Sequence, residues 1–208
     1  QLQVARTLVD RFPDRALLCD EVGLGKTIEA GLIIRQLILS GRVQRCLILA
    51  PAAVLKQWQE ELYEKFNLDI PRYHGGQLYD VSGEPLGPPT DNPWDACDLL
   101  LASSHLAKRR ERVPQLAAAR PWDLLVVDEA HHARRKDFQQ QRYRPNRLLT
   151  LLNKLKENER YQGLLLLTAT PMQVHPVEVW DLLTVLGLGG RWGADENNFL
   201  GFFNELRR

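Results

Sequence analysis

The sequence predicts an α/β fold, a mostly parallel sheet with helices on both faces. Five short apolar runs stand apart along the chain, at residues 16–19, 46–50, 99–102, 124–127 and 164–168. None alternates with polar residues, the pattern of strands buried on both faces. Stretches with apolar residues at helical spacing lie between the runs, so strands and helices alternate. The first run leads at once into Gly23-Leu24-Gly25-Lys26-Thr27, a glycine-rich turn that opens a helix. In sheets of this kind ligands gather beyond the carboxyl ends of the strands.

Taken in order, residues 16–19 form the first strand. The helix over 26–39 carries Ile28, Leu32, Ile34 and Leu37 and meets a stop signal at Ser40-Gly41. After the strand at 46–50, residues 53–66 place Leu55, Trp58, Leu62 and Phe66 at helical spacing. The segment 74–95 then breaks the rhythm. It holds Gly75, Gly76, Gly83 and Gly87 with Pro85, Pro88, Pro89 and Pro93, which excludes a regular element and marks a functional or disordered insertion. Strands follow at 99–102 and 124–127. A helix over 146–156 shows Leu148, Leu149, Leu152 and Leu155, and precedes the strand at 164–168. The helix over 177–186 follows Pro176, a residue suited to a first helical turn. In the tail, Phe199, Phe202, Phe203 and Leu206 share one helical stripe, which predicts core packing. No internal repeat or domain boundary is visible, so residues 1–208 read as one domain.

Composition narrows the class. The chain is 44% hydrophobic and 25% charged, within the range of soluble globular domains. A net charge of +1 means that any nucleic-acid surface must be a local patch. Three such patches offer themselves, at 108–112, 134–136 and 142–147; each is a solvated face or a grip on a duplex backbone or partner. Cys19, Cys46 and Cys97 form no C-x-x-C pair. That suits a reduced, cytoplasmic protein without disulfides or zinc. The apolar runs are too short to span a membrane, and no signal peptide is present. The chain opens on Gln1 rather than methionine, which fits an excised fragment.

The chemistry concentrates in two motifs. Gly23 and Gly25 let successive backbone N–H groups face an anion at a helix N-terminus. Leu24 lies between them. Lys26 reaches β- and γ-phosphates, and the Thr27 hydroxyl suits Mg²⁺. The usual first glycine of G-x-x-x-x-G-K-[ST] is replaced by Asp20, followed by Glu21. One of these carboxylates is expected to brace the turn by accepting backbone N–H groups. The second motif, Asp128-Glu129-Ala130-His131, ends the buried strand at 124–127. Asp128 there would hold magnesium and Glu129 would orient and deprotonate a water.

The string DEVGLGKTIEAG, with DEAH at 128–131, TATP at 168–171, LILAPAAVLKQWQEEL at 47–62 and LLASSHLA at 100–107, resembles the Swi/Snf-type ATPases of helicase superfamily two. The nearest bacterial likeness is to the RNA-polymerase-associated remodellers. The resemblance runs from Gln1 to about residue 186 and implies an N-terminal RecA-like helicase ATP-binding domain, the first lobe of a P-loop NTPase motor. It implies that ATP and Mg²⁺ are bound by Gly23, Leu24, Gly25, Lys26, Thr27 and Asp128, with Lys26, Asp128 and Glu129 catalytic. Gln1 matches a residue that reads adenine, or else is a loose terminus. His131, Thr168, Ala169 and Thr170 match coupling residues, with strand-end or core packing as their rival reading. Pro51, Ala52, Ser103 and Ser104 match loops on the DNA path, or else are helix caps. Gln57 and Trp58 are expected to pack. The second lobe is absent, which predicts weak activity alone. The implied partners are double-stranded DNA and a protein such as RNA polymerase or a phage-defence subunit. The implied activity is translocation on duplex with remodelling of bound protein. A strand-separating helicase or restriction motor, and a nucleotide-binding module without turnover, are the alternatives.

Overall fold

A computed structural model describes residues 2–19, 25–87, 91–136, 144–169, 176–187 and 195–206. One seven-stranded sheet organises it. The strands are β1 (Arg15–Cys19), β2 (Cys46–Ala50), β3 (Arg72–His74), β4 (Gln77–Tyr79), β5 (Leu99–Ser103), β6 (Trp122–Val127) and β7 (Tyr161–Thr168). Their order across the sheet is β1-β7-β6-β2-β5-β3-β4. Every pairing is parallel except β3 with β4. The expected α/β fold is therefore present, with all five strands read from sequence inside the sheet.

Helices α1 (Leu2–Asp10), α2 (Lys26–Leu39) and α3 (Leu55–Phe66) cover one face. The other face carries α4 (Ser104–Ala107), α5 (Arg112–Ala118), α6 (Arg147–Glu157) and α7 (Pro176–Leu186). A last helix, α8 (Glu196–Leu206), sits against α7. Within β2, Cys46, Ile48 and Ala50 point to the first face while Leu47 and Leu49 point to the second. All five are fully buried. Burial on both sides is the physical reason the strand sequence lacks polar alternation.

Local chemistry sets the helix ends. Gly25 caps α2 at φ 94°, a left-handed conformation that suits glycine. Asn67 takes the same left-handed conformation as the C-cap of α3, at φ 53°. Asn146 accepts a hydrogen bond from the Leu149 N–H, so it caps α6 rather than opening it. Helices α2 and α3 pack closely enough that a β-carbon on Gly31 would lie 2.3 Å from the Phe66 ring.

The insertion at 74–95 is more regular than its glycines and prolines predict. Tyr73 pairs with Leu78 and His74 with Gln77 across Gly75-Gly76, at φ 59° and 89°. Two positive-φ residues form a tight hairpin turn that matches strand twist. Its far end is anchored by Trp94, which is fully buried and meets Tyr73 edge-on at 5.7 Å. Arg45 holds the same end. Its guanidinium reaches Asp95 at 3.2 Å and Asp98 at 2.9 Å, and stacks over Trp122 at 4.2 Å.

In the tail, Phe199 is buried and meets Trp180 of α7 at 5.3 Å. Phe202 remains 38% exposed, so the predicted packing stripe is only partly inward. No described helix is long and apolar enough to cross a membrane.

Candidate functional site

The parallel register brings the sequence motifs to one edge. Cys19 pairs with Thr168, and Ala50 with Ser103. The carboxyl ends of β1, β2, β5, β6 and β7 therefore lie together at one edge of the sheet. There a hollow of about 400 Å³ is lined by Gly25, Lys26, Thr27 and Ile28 from α2, by Asp128 and Glu129 after β6, and by Pro51, Val54, Gln57, Trp58, Glu61 and Lys65. Gln1, Gly23, Leu24, Thr170, and Asp20 with Glu21, lie outside the described residues.

The N-terminus of α2 faces this hollow. The Gly25 carbonyl accepts the Glu29 N–H, the first bond of the helix, and the first-turn N–H groups of an α-helix have no partner within the helix. These donors and the helix dipole suit an anion. Opposite them, Asp128 is 9% exposed. Its Oδ2 accepts the Trp58 indole N–H at 2.9 Å, and its Oδ1 accepts the Glu129 N–H at 2.8 Å. Burial pushes the Asp128 carboxyl above its ordinary value, while Trp58, the Glu129 N–H and the Lys26 charge pull the other way.

Trp58 was expected to pack, and its ring does lie in the core at 2% exposure. Its indole nitrogen adds a polar role that the sequence did not suggest, because the two residues are 70 positions apart. Gln57 differs from expectation. It is exposed and donates to Glu61 at 3.0 Å instead of packing.

Glu129 has φ 50° and ψ 47°, a left-handed conformation that costs a non-glycine residue about 1 kcal/mol or more. This turn swings the DEAH segment into a short 3₁₀ turn at Ala130–His132. His131 Nδ1 then lies 3.1 Å from Glu129 Oε2 and 3.2 Å from the Thr168 hydroxyl. One imidazole thus touches the acid after β6 and the end of β7. Thr168 is fully buried and Ala169 is 9% exposed.

The expected DNA-path loops separate into two kinds. Ser103 and Ser104 are each 6% exposed, and the Ser103 hydroxyl accepts the Leu106 N–H to cap α4. Capping is therefore what the Ser103 side chain does here. Ala52 is exposed and Pro51 borders the hollow. Among the basic clusters, Arg135 turns inward rather than outward. It binds Asp181 at 2.6 Å and Glu196 at 2.9 Å, joining α7 to α8. Arg134 stays 57% exposed and approaches Glu178 at 3.5 Å. Arg142 lies outside the described residues.

Magnesium suits this donor set. Among the described residues no cluster of three or more His, Cys, Asp or Glu forms a cage. Mg²⁺ does not need one, since it binds through one or two hard oxygens plus substrate phosphates and water. The Thr27 hydroxyl and Asp128 carboxylate on one hollow are donors of that type.

Fold and site together define a RecA-like phosphate-loop lobe. The SNF2-related domain family matches residues 1–196, and the chain belongs to that family. It is RapA-like. It is 42% identical over 175 residues to the RNA polymerase-associated protein RapA of Stutzerimonas stutzeri, covering 84% of this chain and 17% of the relative. RapA of Vibrio atlanticus matches with the same identity and coverage. The chain thus spans about 17% of the length of these relatives. Among solved structures, the Sulfolobus solfataricus SWI2/SNF2 ATPase core in complex with dsDNA aligns with a TM-score of 0.64 at 23% identity. That alignment covers 96% of this chain and 36% of the other. The Pyrococcus furiosus Hef helicase domain aligns with a TM-score of 0.61 at 19% identity, over 90% of this chain and 36% of that one. At these identities the structural likeness speaks to the fold.

Proposed function

We propose that the chain is the ATP-binding lobe of a duplex-DNA-dependent ATPase. One observation carries this: Gly25, Lys26 and Thr27 at a helix N-terminus face Asp128 and Glu129 across a single hollow. ATP would enter with its phosphates against the first turn of α2. Lys26 would hold the β- and γ-phosphates as a point charge. Thr27 and Asp128 would hold Mg²⁺, which when bound neutralises charge that develops on the transferring phosphoryl group. Trp58 and the Glu129 N–H keep the Asp128 carboxylate in one orientation toward the hollow.

Glu129 would accept a proton from the water that attacks the γ-phosphorus in line. His131 would report the state of Glu129 to Thr168, and so to the end of β7. The chemistry asks for positioning and electrostatics, which a pre-shaped edge supplies. A second lobe, outside these 208 residues, would close the cleft, so the chain alone would bind ATP weakly and turn it over slowly. Translocation on double-stranded DNA, with displacement of bound protein, is the output proposed for the complete motor. The RapA likeness favours a partner in the transcription machinery over a phage-defence subunit.

Glu129→Gln tests the reading. It keeps the shape of the site and removes the base. Nucleotide binding should persist while hydrolysis in the two-lobed protein falls by about 10²–10⁴. Unchanged hydrolysis would sink the assignment and favour a binding module without turnover.

A further inference from the structure

On the sheet face opposite α2 and α3, a second hollow of about 500 Å³ opens between α5, α6 and the chain after the 3₁₀ turn. Lys108, Arg110, Lys136, Arg147 and Lys154 all line it, and among the described residues no carboxylate does. Five of its ten lining residues are cations, in a chain of net charge +1. Elsewhere several described cations meet carboxylates. Arg45 meets Asp95 and Asp98, Arg135 meets Asp181 and Glu196, and Lys56 meets Glu60. Burial and the Arg147 charge push the Lys108 ammonium below its ordinary value, as expected where cations crowd.

The hollow is not purely electrostatic. Val113, Pro114 and Pro145 supply an apolar lining, backed by the fully buried Leu151. A duplex backbone offers convex ridges of phosphate and sugar, with no apolar side chain to fill such a lining. An acidic peptide that also carries aliphatic residues satisfies both features, its carboxylates at the basic rim and its apolar side chains inside. We propose that this pocket is a docking site for a short acidic segment with aliphatic anchors, presented by a partner protein. It is separate from the nucleotide hollow and does not depend on the reading given to that site.

The test is fluorescence anisotropy with a labelled peptide of about twelve residues that alternates glutamate with leucine, a length suited to one groove. The 208-residue chain should bind it about fivefold or more tightly than the same peptide with serine for leucine. Charge reversal in Lys108→Glu with Arg147→Glu should weaken the leucine peptide about tenfold or more. The neutral pair Arg110→Gln with Arg147→Gln should weaken it in the same direction, and covers the case in which charge reversal disturbs folding. A short DNA duplex, measured in parallel, should bind these variants as it binds the parent chain. Equal binding of the leucine and serine peptides would overturn the proposal, since only diffuse charge attraction would then operate. It would equally fail if the variants lost duplex binding while peptide binding held, because the pocket would then serve nucleic acid.

Discussion

Replacing Trp58 with phenylalanine removes one hydrogen bond from the candidate magnesium ligand and leaves most of the ring in place. The bond is the 2.9 Å contact from the indole N–H to Asp128 Oδ2. Hydrogen bonds to charged groups contribute about 1.5–3 kcal/mol. Converted at tenfold per 1.4 kcal/mol, that is a loss of about 10–100-fold in affinity for Mg-nucleotide at about pH 8. A fluorescent nucleotide titrated with and without Mg²⁺ measures it, and only the Mg²⁺-dependent part should fall. A second readout separates this from a packing defect. In the metal-free chain, burial holds the folded-state carboxyl above its unfolded value. Folding then takes up protons, so the ionised carboxylate costs stability that appears as pH rises from the ordinary carboxylate value through the raised one. Trp58 offsets part of that cost by stabilising the charged form. Trp58→Phe should therefore lose more stability near pH 8 than near pH 3, where Asp128 is largely protonated in both states. Urea denaturation in a chelator at the two pH values gives the comparison. An equal loss at both, with Mg²⁺-nucleotide affinity unmoved, would refute the reasoning and reduce Trp58 to a packed ring.

Other substitutions have expected outcomes of their own. Arg135→Ala would strand Asp181, whose side chain is 3% exposed, and should cost about 3–5 kcal/mol in urea unfolding. A loss under about 1 kcal/mol would mean that the buried pair is nearly neutral. Gly31→Ala drives a β-carbon against the Phe66 ring and should destabilise by about 1–3 kcal/mol. Adding Phe66→Leu should recover part of it by thermal melt, and no recovery would locate the strain elsewhere. His131→Ala should leave nucleotide affinity within about twofold, because His131 does not line the nucleotide hollow. The same variant should diminish DNA-stimulated hydrolysis in the two-lobed protein. Stimulation at the parent level would break the proposed link from Glu129 to Thr168.

What could be read from the sequence follows the range of the forces involved. The strands at 46–50 and 124–127 were legible because double-sided burial leaves a local signature, a run without polar residues. The helix over 26–39 was legible at both ends, from Gly25 and from Ser40-Gly41. The β3–β4 hairpin was passed over because three-residue strands carry too little pattern, although Gly75-Gly76 is itself a hairpin signal. Helix α1 was also missed, though Ala5 and Val9 lie buried one turn apart.

The candidate site divides along the same line, and this bears on how such a lobe is built. Glycine, lysine, threonine and paired acids could be placed because each motif is contiguous and a parallel sheet delivers strand ends to one edge. The groups that set their chemistry come from afar. Trp58 reaches Asp128 across 70 positions, and Thr168 meets His131 across 37. Arg135 looked like a surface cation until Asp181 and Glu196, 46 and 61 positions on, closed around it. The contrast with the pocket at Lys108 and Arg147 is instructive. Where long-range folding supplies acids, a basic run becomes internal structure. Where the described lining holds cations, Thr150 and apolar side chains but no acid, the proposed acidic partner would supply the opposite charge. The sequence run alone does not separate the two cases; among the described residues, the acids that fold onto Arg135 and not onto the Lys108 pocket do.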